Sequence, residues 1–157
     1  MTGKTTKQFF FEVQLNWLEA KKGILSAKDA TGTIHVATPP EFGGEGRPWS
    51  PEHLFLSAIS SCYMTTFLAF AQKLQFEIDG MDCETIGQIE IVDGKYKFTT
   101  INSYPRIFIA DELLRENANK AIEKTHKYCL ISNSVNAVIF YHPQILIHPV
   151  SSTVTED

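Results

Sequence analysis

The sequence predicts an α+β fold with a largely antiparallel sheet. The predicted elements follow the order β-β-β-α-β-β-α-β, with one further short strand at the end. These strands form a meander and a hairpin, and no regular β-α-β alternation is present. One long uncharged helix stands near the middle of the chain. We therefore expect a single domain, residues 1–157, built around a buried central helix.

The first part of the chain predicts a three-stranded meander. Residues 8–18 alternate apolar and polar side chains, which is typical of a half-buried strand, and residues 23–29 and 33–37 form two shorter strands. The next residues, 38–49, are rich in glycine and proline, as are loops that move or lie close to a ligand. Arg47 is the only basic residue of this loop, and it is either a solvated side chain or part of a site.

The central helix is predicted to begin at Ser50, which can cap it, with Pro51 in the first helical position. No charged residue occurs from residue 54 to residue 71, so we expect the helix to be buried almost all round. Its serine and threonine residues argue against a membrane span. A chain of 157 residues cannot easily cover so apolar a helix, which points to a partner subunit.

The second half predicts a long hairpin. Residues 81–91 alternate as a strand, and Asp93-Gly94 is a strong type I′ turn signal. Residues 95–109 form the return strand, in which Pro105 indicates a break or an exposed edge.

A second helix follows, capped by Asp111, and its inner face leads to Cys129. That inner face comprises Leu114, Ala118, Ile122 and Thr125. Residues 135–141 and 144–148 predict two final strands, and the tails at 1–7 and 150–157 are expected to be loose.

Composition excludes several functions. The net charge of −4 argues against a nucleic-acid partner, because binding phosphate requires a basic surface. The polar N-terminus lacks the apolar run of a signal peptide. Three cysteines without framework spacing do not form a disulfide scaffold. We therefore expect a cytoplasmic protein.

Cys62 and Cys129 are the candidates for chemistry, although a cysteine in an apolar helix is often only a small buried hydrophobe. Cys83, in a strand, is assigned that structural role. His126 precedes Cys129 by one helical turn, and a neighbouring imidazolium would lower the thiol pKa. No C-x-x-C pair is present, so we expect no zinc or other metal site.

The segment P-E-H-L-F-L-S-A-I-S-S-C, residues 51–62, resembles the signature of the OsmC/Ohr family of osmotically induced and organic hydroperoxide resistance proteins. Cys129 with Ser132 resembles the family's second motif, C-P-x-S. The glycine-rich loop, the strand order and the Asp-Gly hairpin also match, so the resemblance covers most of the chain.

The resemblance implies an OsmC-like fold assembled as an intertwined homodimer. It further implies a cofactor-free, thiol-dependent peroxidase that reduces organic hydroperoxides in oxidative-stress defence and is recycled by a dithiol. In that family role Cys62 is the peroxidatic thiol and Cys129 the resolving one. The candidates for the apolar walls around an alkyl hydroperoxide are Trp49, Phe55, Tyr63 and Phe67, which would serve equally well in a plain core.

The chain departs from the family pattern at two points. Leu130 occupies the position where family members usually have proline. Family members also place an arginine beside the reactive cysteine, but no arginine precedes Arg47 here. Lys21 and Lys22 fall near one family position, and Arg47 is the alternative cation.

Glu52 is expected to hold that cation for the cysteine of a partner subunit. Ten helical residues separate Glu52 from Cys62, which is about 15 Å along the axis and too far for a glutamate to reach. Two such helices crossing antiparallel about a two-fold axis would bring the start of one towards the middle of the other. Glu52 interacting only with its own helix dipole is the simpler alternative.

Two other functions stay open at this point. One is a non-catalytic protein on the same fold that binds a small ligand or senses redox state. The other is a hot-dog-fold thioesterase, since that fold also wraps a sheet around one apolar helix.

Overall fold

A computed structural model describes residues 6–147, and these divide into two compact units, 6–54 and 55–147. The single-domain assignment stays a prediction. The expected loose tails fall largely on residues 1–5 and 148–157, which lie outside the described residues, and so does the end of the last predicted strand at His148.

The first unit contains the predicted meander as a three-stranded antiparallel sheet: β1 (Gln14–Glu19), β2 (Lys22–Ser26) and β3 (Ile34–Ala37). The predicted first strand is wrong in two respects. It begins at Gln14 instead of residue 8, since Gln14 is already paired with Ser26 at the end of β2. It is also exposed instead of half-buried, with Trp17 73% exposed.

The central helix, α1 (Pro51–Lys73), begins as predicted. The His53 amide donates to Ser50 Oγ, and the Ser50 amide donates to His53 Nδ1, so each residue caps the other. Only the row Ile59, Tyr63, Phe67 and Ala71 is buried. The helix is therefore not buried all round by its own chain, and Met64 and Leu68 are each 41% exposed. By length and composition α1 also meets the criteria for a membrane span, as many core helices of soluble proteins do.

The second unit is built on a hairpin of β4 (Gly80–Val92) and β5 (Lys95–Ile109). Asp93 and Gly94 both have positive φ, at 51° and 72°, as a type I′ turn requires. Two short strands, β6 (Val138–Tyr141) and β7 (Gln144–Ile147), lie along the other side of β5, and both run parallel to it. This sheet is mixed, because β6 returns to β5 by a crossover through a helix.

The break or edge predicted at Pro105 is wrong. β5 continues through Pro105 and is flanked by β4 on one side and by β6 and β7 on the other. β6 pairs with β5 only up to Ser103, and β7 pairs from Arg106 onward. Pro105 lies in the gap between these two ladders, so its missing N–H removes no hydrogen bond.

The second helix, α2 (Arg115–Tyr128), follows a 3₁₀ turn at Glu112–Leu114. As predicted, Asp111 caps that turn by accepting a bond from the Leu113 amide at 2.9 Å. The buried positions of α2 are Ala118, Ala121, Ile122 and Thr125. Ala118, Ala121 and Ile122 belong to the hydrophobic core of the second unit, which also contains Phe67, Ala71, Phe76, Ile107 and Ile109.

Candidate active site

Cys62 lies in the middle of α1 and is half-buried. Its Sγ accepts a hydrogen bond from the Ile131 amide at 3.5 Å and lies 3.8 Å from Thr66 Oγ1. Ile131 follows α2, so the site depends on a contact between residues far apart in the sequence.

Cys129 is the C-cap residue of α2 and is fully buried. Ser132 Oγ donates to its Sγ at 3.2 Å, and the Tyr141 hydroxyl donates to Ser132 Oγ at 2.6 Å. A chain of two hydroxyl donors therefore ends on this sulfur. The hydrogen bond from Tyr141 to Ser132 joins the end of β6 to the turn after α2.

The two thiols are close enough to affect each other's pKa, yet their pKa values move in opposite directions. Burial raises the pKa of Cys62, but bonds from Ile131, Cys129, Thr66 and the Leu130 amide outweigh burial, so its pKa lies below the usual value. Burial also raises the pKa of Cys129, and there the bonds from Ser132 do not outweigh it.

This asymmetry has a chemical consequence. A half-exposed thiol with a lowered pKa is the better nucleophile towards a substrate that arrives from solvent. A buried thiol with a raised pKa is protected from solvent oxidants, but it can react with the sulfur beside it. The arrangement suits a reaction in which Cys62 is oxidised first and Cys129 then forms a disulfide with it.

His126 does not have the expected position next to the Cys129 thiol. Its Nε2 lies 3.3 Å from the Tyr63 hydroxyl, and its ring stacks on Tyr141 with centroids 4.3 Å apart. Burial lowers the pKa of His126, so the ring is neutral near pH 7. The His126 ring is therefore directed to Tyr63 and Tyr141, and it is not among the groups that shift the Cys129 pKa.

Cys83 forms contacts of its own in β4. Its Sγ lies 3.3 Å from Ser103 Oγ on β5 and 3.6 Å from Thr85 Oγ1. Thr85 Oγ1 in turn lies 2.7 Å from Ser60 Oγ on α1. These hydroxyl contacts link the sheet to the helix, in keeping with a structural role.

Three aromatic residues of the second unit were expected to line a substrate site. They differ in burial. Phe55 is half-buried and stacks on Phe98 with centroids 4.8 Å apart. Tyr63 and Phe67 are fully buried. A side chain without exposed surface cannot contact a substrate in this conformation. Tyr63 and Phe67 therefore pack in the interior of the unit and do not line a substrate site.

The remaining predicted site residues belong to the first unit. Lys22 forms an ion pair with Glu45 at 2.7 Å, and Lys21 donates to the Gly43 carbonyl at 3.1 Å. Both lysines line a cavity of about 200 Å³ with Leu15 and Trp17.

Arg47 has a positive φ of 76°, and within the described residues it forms no ion pair. The Trp49 ring meets the His53 ring edge-on, with centroids 6.3 Å apart. Glu52 Oε2 is buried without a hydrogen-bond partner among residues 6–147. A buried carboxylate oxygen needs a donor, so this one is available for a group outside the described chain.

Three contributors to the site are not predictable from the sequence: the Leu130 amide, the Ile131 amide and Tyr141. Backbone donors carry no signal in residue type, and Tyr141 resembled any alternating strand residue. Ser132 was noted only as part of a C-x-x-S pattern. Within residues 6–147 no group of three histidine, cysteine, aspartate or glutamate side chains could hold a metal ion.

Comparison with known proteins shows similarity to one family. The family model for OsmC-like protein matches residues 44–141. The uncharacterized protein YmaD of Bacillus subtilis is 20% identical over 128 residues, which are 80% of this chain and 85% of that protein.

Three solved structures show the same fold. An OsmC-like protein of unknown function from Vibrio cholerae is 18% identical with a TM-score of 0.76, covering 88% of this chain and 100% of that one. The organic hydroperoxide resistance protein OsmC from Legionella pneumophila is 18% identical with a TM-score of 0.68, covering 90% and 99%. The organic hydroperoxide resistance protein OhrB of B. subtilis is 18% identical with a TM-score of 0.61, covering 87% and 98%.

Proposed function

The chain belongs to the OsmC-like protein family, and on that premise we propose that it is a thiol-dependent peroxidase for organic hydroperoxides that acts in oxidative-stress defence. The observation that carries the proposal is the pair of adjacent thiols, one half-exposed with a lowered pKa and one buried with a raised pKa. The substrate class is supported by the names of the Legionella and Bacillus relatives, which are organic hydroperoxide resistance proteins.

In the first step the Cys62 thiolate attacks the terminal oxygen of the hydroperoxide. The S–O bond forms as the O–O bond breaks, and the alkoxide takes a proton from solvent to leave as an alcohol. Cys62 becomes a sulfenic acid. The Ile131 amide, 3.5 Å from the sulfur, stabilises the thiolate before the attack.

In the second step the Cys129 sulfur attacks the sulfenic sulfur. The S–S bond forms, the S–O bond breaks, and hydroxide leaves as water with the proton that Cys129 gives up. A dithiol then reduces the disulfide by two exchanges and restores both thiols. These reactions require no cofactor other than the thiols themselves.

We further propose that the protein acts as a cytoplasmic homodimer with a shared site. Glu52 of one subunit would orient a cation, Arg47 or a lysine, against the Cys62 thiolate of the other. The buried Glu52 oxygen without a partner within residues 6–147 supports this role. Phe55 and Trp49 would supply the apolar wall for the alkyl group.

The decisive test is stopped-flow reaction of the reduced protein with cumene hydroperoxide. Wild type should lose two thiols per chain, and peptide mapping should show one Cys62–Cys129 bridge with Cys83 still reduced. Cys62→Ser should consume no peroxide, because the attacking sulfur is absent. Cys129→Ser should complete about one turnover and stop at the sulfenic acid.

A Cys83→Ser variant is the matched control, since it also removes one thiol but should keep the kinetics of wild type. If Cys62→Ser and wild type show equal first-turnover rates, the peroxidase proposal fails. If Cys62 stays unmodified after peroxide treatment, the protein is better described as a binding or sensing protein on the same fold.

A further inference from the structure

Three aromatic rings from three different elements of the second unit pack against one another close to the two thiols. Tyr63 follows Cys62 on α1, His126 lies on α2 shortly before Cys129, and Tyr141 ends β6. The His126 and Tyr141 rings stack with centroids 4.3 Å apart and 13° between their planes. The Tyr63 centroid lies 5.7 Å from that of His126 and 5.4 Å from that of Tyr141. The cluster therefore joins both cysteine-bearing segments to β6.

A hydrogen bond fixes the His126 ring within this cluster. The Tyr63 hydroxyl lies 3.3 Å from His126 Nε2. Tyr63 is fully buried, and burial raises its pKa, so the hydroxyl keeps its hydrogen at neutral pH. We assign this hydroxyl as the donor and Nε2 of the neutral imidazole as the acceptor. His126 is thus anchored by a core residue while the face of its ring lies on Tyr141.

The orientation of the Tyr141 ring decides whether a donor reaches Cys129. The Tyr141 hydroxyl donates to Ser132 Oγ at 2.6 Å, and Ser132 Oγ donates to Cys129 Sγ at 3.2 Å. A hydrogen bond weakens steeply as its angle departs from linear. A rotation of the Tyr141 ring would break the first bond and leave the Ser132 hydroxyl free to turn away from the sulfur. The stacked His126 ring opposes that rotation.

We propose that His126 is a positioning residue for the resolving thiol. Its ring, anchored by Tyr63, holds the Tyr141 hydroxyl on Ser132. The Ser132 hydroxyl is thereby kept on the Cys129 sulfur as a donor. This inference rests on the proposed function, in which Cys129 closes the disulfide. It gives a role to the imidazole of His126 and the hydroxyl of Tyr63, which the two reaction steps do not use.

The titratable groups around Cys129 and His126 agree with an effect that passes through contacts. In the described part of the second unit, those that face Cys129 are Cys62 and Tyr63 on α1 and Tyr141 on β6. His126 is faced by the same two tyrosines and by Glu123 on its own helix. Burial outweighs Glu123, so the His126 pKa lies below its usual value and the ring is neutral at neutral pH. A neutral imidazole does not stabilise the Cys129 thiolate by charge.

The test is a double-mutant cycle that measures the pKa of Cys129. The chain has three cysteines, so Cys62→Ser and Cys83→Ser together leave Cys129 alone. In this background the ultraviolet absorbance of the thiolate, taken as the difference from a cysteine-free variant, gives the pKa. The cycle consists of His126→Ala, Tyr141→Phe and the two combined.

His126→Ala should raise the Cys129 pKa, which leaves roughly three- to tenfold less thiolate at a given pH below it, the loss expected for one hydrogen bond. Tyr141→Phe keeps the ring but removes the hydroxyl, and it should have the same effect. The combined variant should lose no more than either single one, because His126 acts through that hydroxyl. His126→Phe should stay near the parent protein, since it retains a flat ring against Tyr141.

Two results would overturn the inference. One is an unchanged Cys129 pKa in folded His126→Ala. The other is an equal rise on adding His126→Ala with and without the Tyr141 hydroxyl, which would make the two effects independent. If His126→Ala does not fold, Tyr63→Phe replaces it, because that variant keeps the buried ring and removes only the anchor of His126. It should raise the Cys129 pKa in the same direction, and an unchanged value then overturns the inference.

The closing rate of the disulfide can be measured without peroxide when Cys62 is present. Diamide adds to the Cys62 sulfur, and Cys129 then attacks that sulfur, which forms the disulfide and releases the reduced hydrazine. His126→Ala should slow this closing step roughly three- to tenfold and move its rise to higher pH. If the role of His126 holds in these assays while the protein does not reduce cumene hydroperoxide, the positioning role is confirmed and the peroxidase function is wrong.

Discussion

Burial of Cys129 has two opposite effects, since it protects the thiol from solvent and also makes the thiol less reactive. Full burial shields it from solvent but raises its pKa, which reduces the thiolate available to close the disulfide. Ser132 Oγ partly relieves this by donating to the sulfur at 3.2 Å. Burial also keeps the pKa of Tyr141 above its usual value, so its hydroxyl remains a donor to Ser132.

We therefore expect Ser132→Ala to slow disulfide formation without changing the first reaction of Cys62 with peroxide. The loss of the donor raises the Cys129 pKa further, so the pH at which the closing rate rises should move upward. The rate at neutral pH should fall roughly three- to tenfold. Stopped-flow kinetics and the yield of Cys62 sulfinic acid, measured by mass spectrometry, report the change.

Ser134→Ala is the matched control, because Ser134 Oγ donates to the Leu130 carbonyl at 2.8 Å and not to a sulfur. Its closing rate should stay near that of wild type. An unchanged sulfinic acid yield in Ser132→Ala would show that the hydroxyl chain does not act on Cys129.

Among the elements, the loop from Thr38 to Trp49 has little tolerance for added atoms. The Gly44 amide donates to the Pro39 carbonyl at 3.0 Å, which folds the loop back on itself. A Cβ on Gly44 would lie 1.6 Å from the Thr38 carbonyl oxygen. The Thr38 amide is itself bonded to the Lys21 carbonyl at 3.2 Å, so the clashing backbone is held in place.

Gly44→Ala should accordingly destabilise the protein by about 3 kcal/mol, the upper part of the range for added atoms in a packed site. Urea unfolding gives the measurement. Gly80→Ala provides the comparison, because its added Cβ would make an ordinary contact at 3.6 Å with Phe108, and less than about 1 kcal/mol is expected there. Equal losses in the two variants would contradict the backbone clash.

At the scale of the whole molecule, the chain exposes many large apolar side chains. Phe10, Phe11 and Trp17 precede or lie in β1, while Met64 and Leu68 lie on α1. The first three belong to the first unit and the last two to the second, and so many large apolar side chains exposed in each unit favour a partner that covers them. This exposure supports the proposed homodimer, in which a second copy would cover these residues.

The proposed shared site makes a specific prediction for mixed subunits. Glu52→Ala and Cys62→Ser homodimers should both be inactive. A heterodimer of the two retains one intact site, since the Cys62 of the first chain meets the Glu52 of the second. Random mixing should restore about a quarter of wild-type activity.

Peroxide consumption by the mixture, with heterodimers counted by native mass spectrometry, decides the question. If heterodimers form and no activity returns, Glu52 does not serve the partner's cysteine and only complements its own helix end.

The sequence by itself determined the features that depend on neighbouring residues. Ser50 and Asp111 predicted helix starts and Asp93-Gly94 predicted the hairpin, because caps and turns act within a few residues. The motif at 51–62 predicted the family. It also singled out Cys62, and the C-x-x-S pattern singled out Cys129, although neither pattern shows that the two sulfurs meet.

Only the tertiary structure decided what depends on residues far apart in the chain. Pro105 is accepted inside β5 because β6 pairs with the residues before it and β7 with the residues after it. Both strands run parallel to β5 because a helical crossover returns the chain. The donors on the two sulfurs, Ile131 and Ser132, lie in the turn after α2, and Tyr141 of β6 donates to Ser132; this turn, α1 and β6 meet only after folding. Local patterns cannot specify such contacts, since the choice of strand partner and the direction of a backbone N–H follow from the assembled fold.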